Sequence, residues 1–297
     1  MGIRVNPNLY SVILNGLQVN AQQVNQALEQ VSTGQKLNTL SDDPVAAASL
    51  VNLRMQSGSI SQYLQNISSL TGTLNVADSA ITSVVKALTT AQAVGVEGTS
   101  PTLNDSNRQA LAQQIQGIQQ QIMGLANTSY NGRYLFSGTA TTTQPYVADA
   151  LDPSGVAYKG NSSANSVEIS DGQAMPINLP GSQLFSNSDR SVFTALQNLS
   201  EALATNGSIS SATAEVQNAL NFVSTQQTFY GNSVDRLENA QTFLTQEQSQ
   251  LTKTESAALE ADMSVAITNL VHAETTQQAL VQAGAKVAQK NLFDYLP

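Results

Sequence analysis

The spacing of apolar residues decides most of what this chain can become. Near the N-terminus Ile13, Leu17, Val24, Ala27 and Val31 recur in steps of three and four, with Asn20 as a polar interruption. That period lines one face of an α-helix, whereas a half-buried strand needs a period of two. The stripe returns at Ile60, Leu64, Ile67, Leu74, Ile81, Val85 and Leu88, and again without a gap at Leu111, Ile115, Ile118, Ile122 and Leu125. From Val216 one register runs through Leu220, Val223, Tyr230, Val234, Leu237, Leu244 and Leu251, with Gly231 as its weak point. A helix continuous from about 212 to 253 is roughly 60 Å long. A last seam, Leu259, Met263, Ala266, Leu270, Ala273, Leu280, Gly284 and Val287, completes the set. Heptads sustained this far predict a mainly α fold, a long coiled-coil-like helical bundle built from both chain ends.

The pattern changes between about 135 and 185. Gly, Pro, Ser and Asn crowd together there, and short alternating runs, VEIS at 167–170 and MPINL at 175–179, flank a DGQ turn. Such punctuation predicts a small β-rich domain inserted mid-chain. The expected division is then paired terminal helices at 1–40 and 260–297, a helical bundle at 41–135 and 186–259, and a β-rich outer domain at 136–185. Because the insertion splits the helical part, the N- and C-terminal thirds are expected to pack together while the insertion projects from the far end.

Composition removes several function classes. The chain has no Cys, one His, and 12 Lys+Arg against 21 Asp+Glu, for a formal net charge of -9. Thiolate metal sites, disulfides and cysteine nucleophiles are excluded, and a histidine-built metal site nearly so. An acidic chain with few aromatics offers little to a phosphate backbone, so no nucleic-acid partner is expected. Gln, Asn, Ser and Thr fill the polar positions instead: residues 1–35 hold two charged side chains, Arg4 and Glu29. Uncharged polar groups are far less costly to bury than ions. Such a surface suits packing into a larger assembly; the alternative is a merely soluble surface of low charge. LYSVILNGL at 9–17 is interrupted by Asn15 and Gly16 and lacks a cleavage-site pattern, and no run reaches the ~20 apolar residues of a membrane span. The expectation is a cytoplasmic protein, or one exported without a cleaved signal, with no membrane insertion.

LSDDPVAAASL at 40–50 is the strongest local motif. Pro44 suits the first position of a helix, where a missing N–H has no partner to lose, and an Asp just before it can accept from the free amides. Asp43 is therefore expected as a helix N-cap, with Asp42 favoured by the positive end of the helix dipole. A metal loop would need further oxygen ligands, but Val45, Ala46, Ala47 and Ala48 follow. No GxGxxG, P-loop or GxSxG pattern occurs, and His272 and Glu274, two apart, do not share a helix face. No catalytic, cofactor-binding or metal residue is assigned, and no cofactor is expected. A site assembled from distant carboxylates is the disfavoured alternative.

VSTGQKLNTLSDDPVAAASL at 31–50 resembles the N-terminal signature of the flagellin superfamily. NTSYNGRYLFSGTATTTQPY at 127–146 and YKGNSSANSVEISDGQAMPINLPGSQLF at 158–185 are similar to the outer-domain region of that superfamily's hook-filament junction branch, and NLFDYLP at 291–297 to its Leu-Phe-x-Tyr-Leu terminus. The resemblance spans essentially the whole chain. It implies a structural component of the bacterial flagellum at the junction between hook and filament, not an enzyme. The alternative within the superfamily is a short filament flagellin that polymerises into the filament itself; from another class, a soluble helical enzyme or export chaperone. The resemblance further implies terminal helices in an inner tube, and an extracellular location reached through the flagellar type III channel without a cleaved signal peptide. The implied partners are a ring of its own subunits, an adjacent hook-associated protein on the hook side, filament flagellin on the distal side, and an export chaperone at the C-terminal helix. With the seams, it makes Ile13, Leu17, Val24, Val31, Leu270, Leu280, Val287, Leu292 and Phe293 candidates for packing between subunits.

Overall fold

The computed structural model describes residues 8–39, 43–185 and 191–293, with side chains from residue 11 to 286 within those ranges. Contacts divide the chain into two compact units, residues 1–58 with 247–297, and residues 59–246. Two long helices, α2 (Pro44–Gly98) and α6 (Ile209–Leu259), contribute to both. The fold is mainly helical with short antiparallel strand pairs mid-chain.

In the first unit α1 (Asn8–Thr33) pairs with α7 (Met263–Phe293). The pairing is antiparallel: Ile13 lies beside Gly284, Gly16 beside Leu280, and Asn20 reaches Ala273. α1 stops at Gly34, whose φ of 69° is a left-handed conformation that favours glycine. Beyond it the backbone locks onto the α6–α7 connection. Lys36 N–H donates to Leu259 O at 2.6 Å, and Ala261 N–H to Gly34 O at 2.9 Å. Asp262 opens α7, its Oδ1 accepting from Ser264 and Val265 N–H at 2.9 and 3.2 Å. Within the same unit Arg54 Nε pairs with Glu255 Oε1 at 2.9 Å.

The second unit holds the large core. Four helical segments, from α2, α3 (Asp105–Ala126), α5 (Val192–Thr205) and α6, bury Ile67, Leu74, Ile81, Leu88, Ile115, Ile122, Leu196, Val216, Val223 and Leu237. Apart from Leu196 these belong to the predicted seams, and α5, which the heptad pattern does not reveal, adds Leu196 with Phe193, Leu199 and Leu203. Helices approach closely where α2 carries glycine: a Cβ on Gly95 would sit 2.5 Å from Thr213 Oγ1.

Three two-stranded antiparallel ribbons follow α3. β1 (Ser129–Tyr130) pairs with β2 (Arg133–Tyr134) through Asn131 and Gly132, at φ 50° and 75°. Two consecutive left-handed residues give the turn whose twist matches paired strands. β3 (Tyr146–Ala148) pairs with β4 (Val156–Tyr158), and β5 (Ser166–Ser170) with β6 (Gln173–Pro176) across Asp171 and Gly172. MPINL was expected as a strand, but β6 ends at Pro176 and Ile177–Leu179 continue as loop. That loop is tied elsewhere: Ile177 N–H donates to Asn165 O at 2.8 Å and Leu179 N–H to the hydroxyl of Tyr230 at 3.4 Å. Burial holds the Tyr230 phenol far above its ordinary pKa, so it stays a neutral acceptor.

The ribbons share a core with the helices around them. Phe136, Tyr146, Phe185 and Phe193 are fully buried together, with Tyr146 centred 5.0 Å from the Phe193 ring of α5, 5.1 Å from Tyr158 and 5.9 Å from Phe185. Gln119 of α3 donates to Ser154 O at 2.8 Å, and Asn66 of α2 to Glu168 O at 3.1 Å. α4 (Gly181–Leu184) leads back toward α5.

Candidate assembly surface

The α1–α7 pair carries every described residue of the predicted packing set. Ile13, Leu17, Val24 and Val31 on α1, and Leu270 and Leu280 on α7, are all half-buried along the seam. The side chains of Val287, Leu292 and Phe293 lie outside the described residues, as does Asp42.

What the seam lacks is bulk. Among the described residues of this unit the buried set is Asn20, Ala27, Leu37, Ala47, Ala266 and Ala273, in which Leu37 is the one large apolar side chain. Small residues let the two backbones approach, but they remove little apolar area from water. Meanwhile Val12, Leu14, Val19 and Leu28 on α1, and Val265, Ile267, Val271 and Val281 on α7, are exposed. These eight stand outside the three-and-four seam, so sequence reading passed over them; apolar residues recurring off the seam register were the available signal. Two helices with buried alanines between them and valines and leucines outside form a paired element with unspent apolar surface.

Asp43 stands at the start of α2. Its Oδ1 accepts from Val45 N–H at 3.1 Å and Ala46 N–H at 3.0 Å, and its carbonyl accepts from Ala47 N–H at 2.9 Å. The side chain thus reaches two of the amides that a first helical turn leaves without intrahelical acceptors. Asp262 makes the equivalent pair of bonds at α7, and nothing in its surroundings, EADMS, drew notice to it. Among the described residues no three His, Cys, Asp or Glu side chains gather as a metal ligand set, and no helix is long and apolar enough to cross a membrane. His272 and Glu274 are both exposed on α7.

Comparison with known proteins points the same way as the geometry. The profile of the bacterial flagellin N-terminal helical region matches residues 5–141. Flagellar hook-associated protein 3 of Escherichia coli (strain K12) is 28% identical over 291 residues, covering 89% of this chain and 90% of its own length. Its namesake in Salmonella typhimurium (strain LT2) is 32% identical over 191 residues, 60% of this chain and 59% of its own. The crystal structure of the flagellar junction protein FlgL from Legionella pneumophila shares the fold with a TM-score of 0.59 at 15% identity, over 73% of this chain and 100% of that one. A long helix pair with apolar stripes, ribbons set between helices, and likeness running from the N-terminal helical region through most of the sequence make this chain similar to flagellar hook-associated protein 3 and, over residues 5–141, to the bacterial flagellin N-terminal helical region.

Proposed function

We propose that this chain is a structural subunit of the bacterial flagellum, placed at the junction between hook and filament, and not an enzyme. The observation that carries this is the reach of the likeness to hook-associated protein 3, which takes in 89% of the chain and 90% of the relative, well past the 5–141 stretch held in common with flagellins. A short filament flagellin, the other reading from sequence, accounts for that N-terminal stretch but not for the remainder.

In this role residues 1–40 and 260–297 form the inner tube, 41–135 and 186–259 the surrounding bundle, and 136–185 the outward part. Ile13, Leu17, Val24, Val31, Leu270 and Leu280, with Val287, Leu292 and Phe293, pack within and between subunits, and Asp43 caps α2. The partners are copies of the chain in a ring, a hook-associated protein on the hook side and filament flagellin on the distal side. An export chaperone shields α7 before the chain leaves the cell through the flagellar type III channel, without a cleaved signal. Eight exposed valines, leucines and isoleucines on the terminal pair give these partners an apolar surface to cover.

The test is complementation in a strain lacking its junction protein. The full chain should restore attached filaments. A chain without residues 280–297 should leave hooks bare and release filament subunits into the medium, while residues 59–246 still melt cooperatively. Normal swimming from the truncated chain would sink the assignment of the terminal helices. Self-assembly of the purified chain into long filaments would favour the flagellin reading instead.

A further inference from the structure

The α1–α7 seam is apolar or small except at one level. A methyl on Gly284 would lie 3.5 Å from Ile13 Cγ2, and one on Gly16 3.7 Å from Leu280 Cδ2, which fixes which residues face each other. Seven residues on from Ile13 stands Asn20, and seven back from Gly284 stands Gln277. Antiparallel pairing at constant register therefore sets the two carboxamides of the seam at the same level, with Gln277 half-buried.

Asn20 is 3% exposed. Its Nδ2 donates across the pair to Ala273 O at 2.9 Å, while its buried Oδ1 accepts from none of the described residues. A leucine here would avoid the loss that a half-satisfied carboxamide brings. The surroundings explain what the carboxamide contributes instead. A slip of one heptad keeps both apolar stripes in contact, so hydrophobicity alone scarcely opposes it. Yet that slip sets Ile13 against Gln277 and Asn20 against Leu270, stranding both carboxamides on hydrocarbon. A single polar level inside an apolar seam selects one register at some expense of stability.

We propose that Asn20 and Gln277 form a polar level that fixes the register of α1 on α7. Alanines at Ala27, Ala266 and Ala273 leave room for such a device, because small knobs discriminate poorly between neighbouring holes, and it acts beside the backbone bonds of Lys36 to Leu259 and Ala261 to Gly34 at the far end of the pair. The two glycine contacts aid the same register but lie together toward one end of the pair.

The chain has no cysteine, so register can be trapped by introduced disulfides without background. One variant carries Ile13→Cys with Gly284→Cys, the native facing; another carries Leu17→Cys with Ala273→Cys, the facing after a one-heptad slip. Under mild oxidation of the full chain, with Asn20 and Gln277 intact, the native pair should cross-link at least about tenfold faster than the slipped pair, the discrimination expected from one stranded polar group. Adding Asn20→Leu and Gln277→Leu should bring the two rates within about threefold of each other, with helical circular dichroism undiminished because an apolar level packs at least as well. The proposal is overturned if the slipped pair stays silent in the double-leucine chain, if both pairs react alike with Asn20 and Gln277 present, or if the leucines cause loss of helix.

Discussion

Replacing Tyr146 by Ala removes the ring around which the ribbons and α5 are packed. The ring is fully buried and has three aromatic neighbours with centroids 5.0, 5.1 and 5.9 Å away. Truncation of a large buried aromatic destabilises by about 3–5 kcal/mol, through lost transfer energy and the cavity left behind. Each ring pair contributes roughly 0.5–1.5 kcal/mol, and these terms already sit within that range rather than adding to it. About 4 kcal/mol is therefore expected, a large share of the roughly 5–15 kcal/mol that holds a domain folded. With a urea slope of about 2 kcal/mol/M the midpoint of the 59–246 unit should fall by roughly 2 M. The assay is far-UV circular dichroism at the helical band. Ribbon strands two to five residues long contribute little there, so the signal follows the helices. Leu151→Ala is the control: at 95% exposed it should change stability by less than about 0.5 kcal/mol. If Tyr146→Ala left the helical transition where the wild type has it, the ribbons would be an appendage and the shared-core argument would be wrong.

Asp43→Ala should lower stability by roughly 1 kcal/mol and Asp43→Asn or Asp43→Ser restore most of it, since a cap needs an acceptor and not a charge; thermal melts with and without EDTA distinguish this from a metal site, where Asn would fail and the chelator would matter. Gly117→Ala, on α3 with open space around the new methyl, should stabilise by about 0.5–1 kcal/mol. Gly95→Ala should lose that gain to overpacking worth about 1–3 kcal/mol, and urea midpoints moving in the same direction for both would contradict the packing. Limited proteolysis of the monomer should cut within α1 and α7 before 59–246, because a pair with so little buried bulk opens more readily; equal resistance of both parts would argue against it.

Long single-faced helices were legible because burying one stripe forces a three-and-four spacing, and the seams at 60–88, 111–125 and 216–251 fall inside α2, α3 and α6. The start of α2 was legible for a different reason, since Asp43 and Pro44 are chemically suited to a helix entrance. α5 escaped because VFTALQNLSEALAT is barely two heptads long, and its large members Phe193, Leu196, Leu199 and Leu203 face a core supplied by other segments. The ribbons escaped in detail because β1 to β4 have two or three residues each, too few to display an alternation. That the insertion shares a core with α5 through Tyr146 and Phe136 was not legible, because an aromatic in a Gly- and Thr-rich stretch carries no mark of which neighbour it meets. On the terminal pair the half-buried seam could be read, but Val12, Val19, Ile267 and Val281 could not, because surface valines and isoleucines acquire meaning only once the buried face is known.

The link from Asn20 to Ala273 joins residues 253 apart in sequence. Within one chain, α1 therefore has no mate until almost the whole polypeptide is present, whichever end is delivered first. Closing a loop of that length carries an entropic burden that a few alanine contacts only narrowly overcome, so this pairing belongs at the end of folding rather than its beginning. On the export route proposed above, that interval would suit a chain travelling threadlike: α1 would stay without its mate until α7 had followed it.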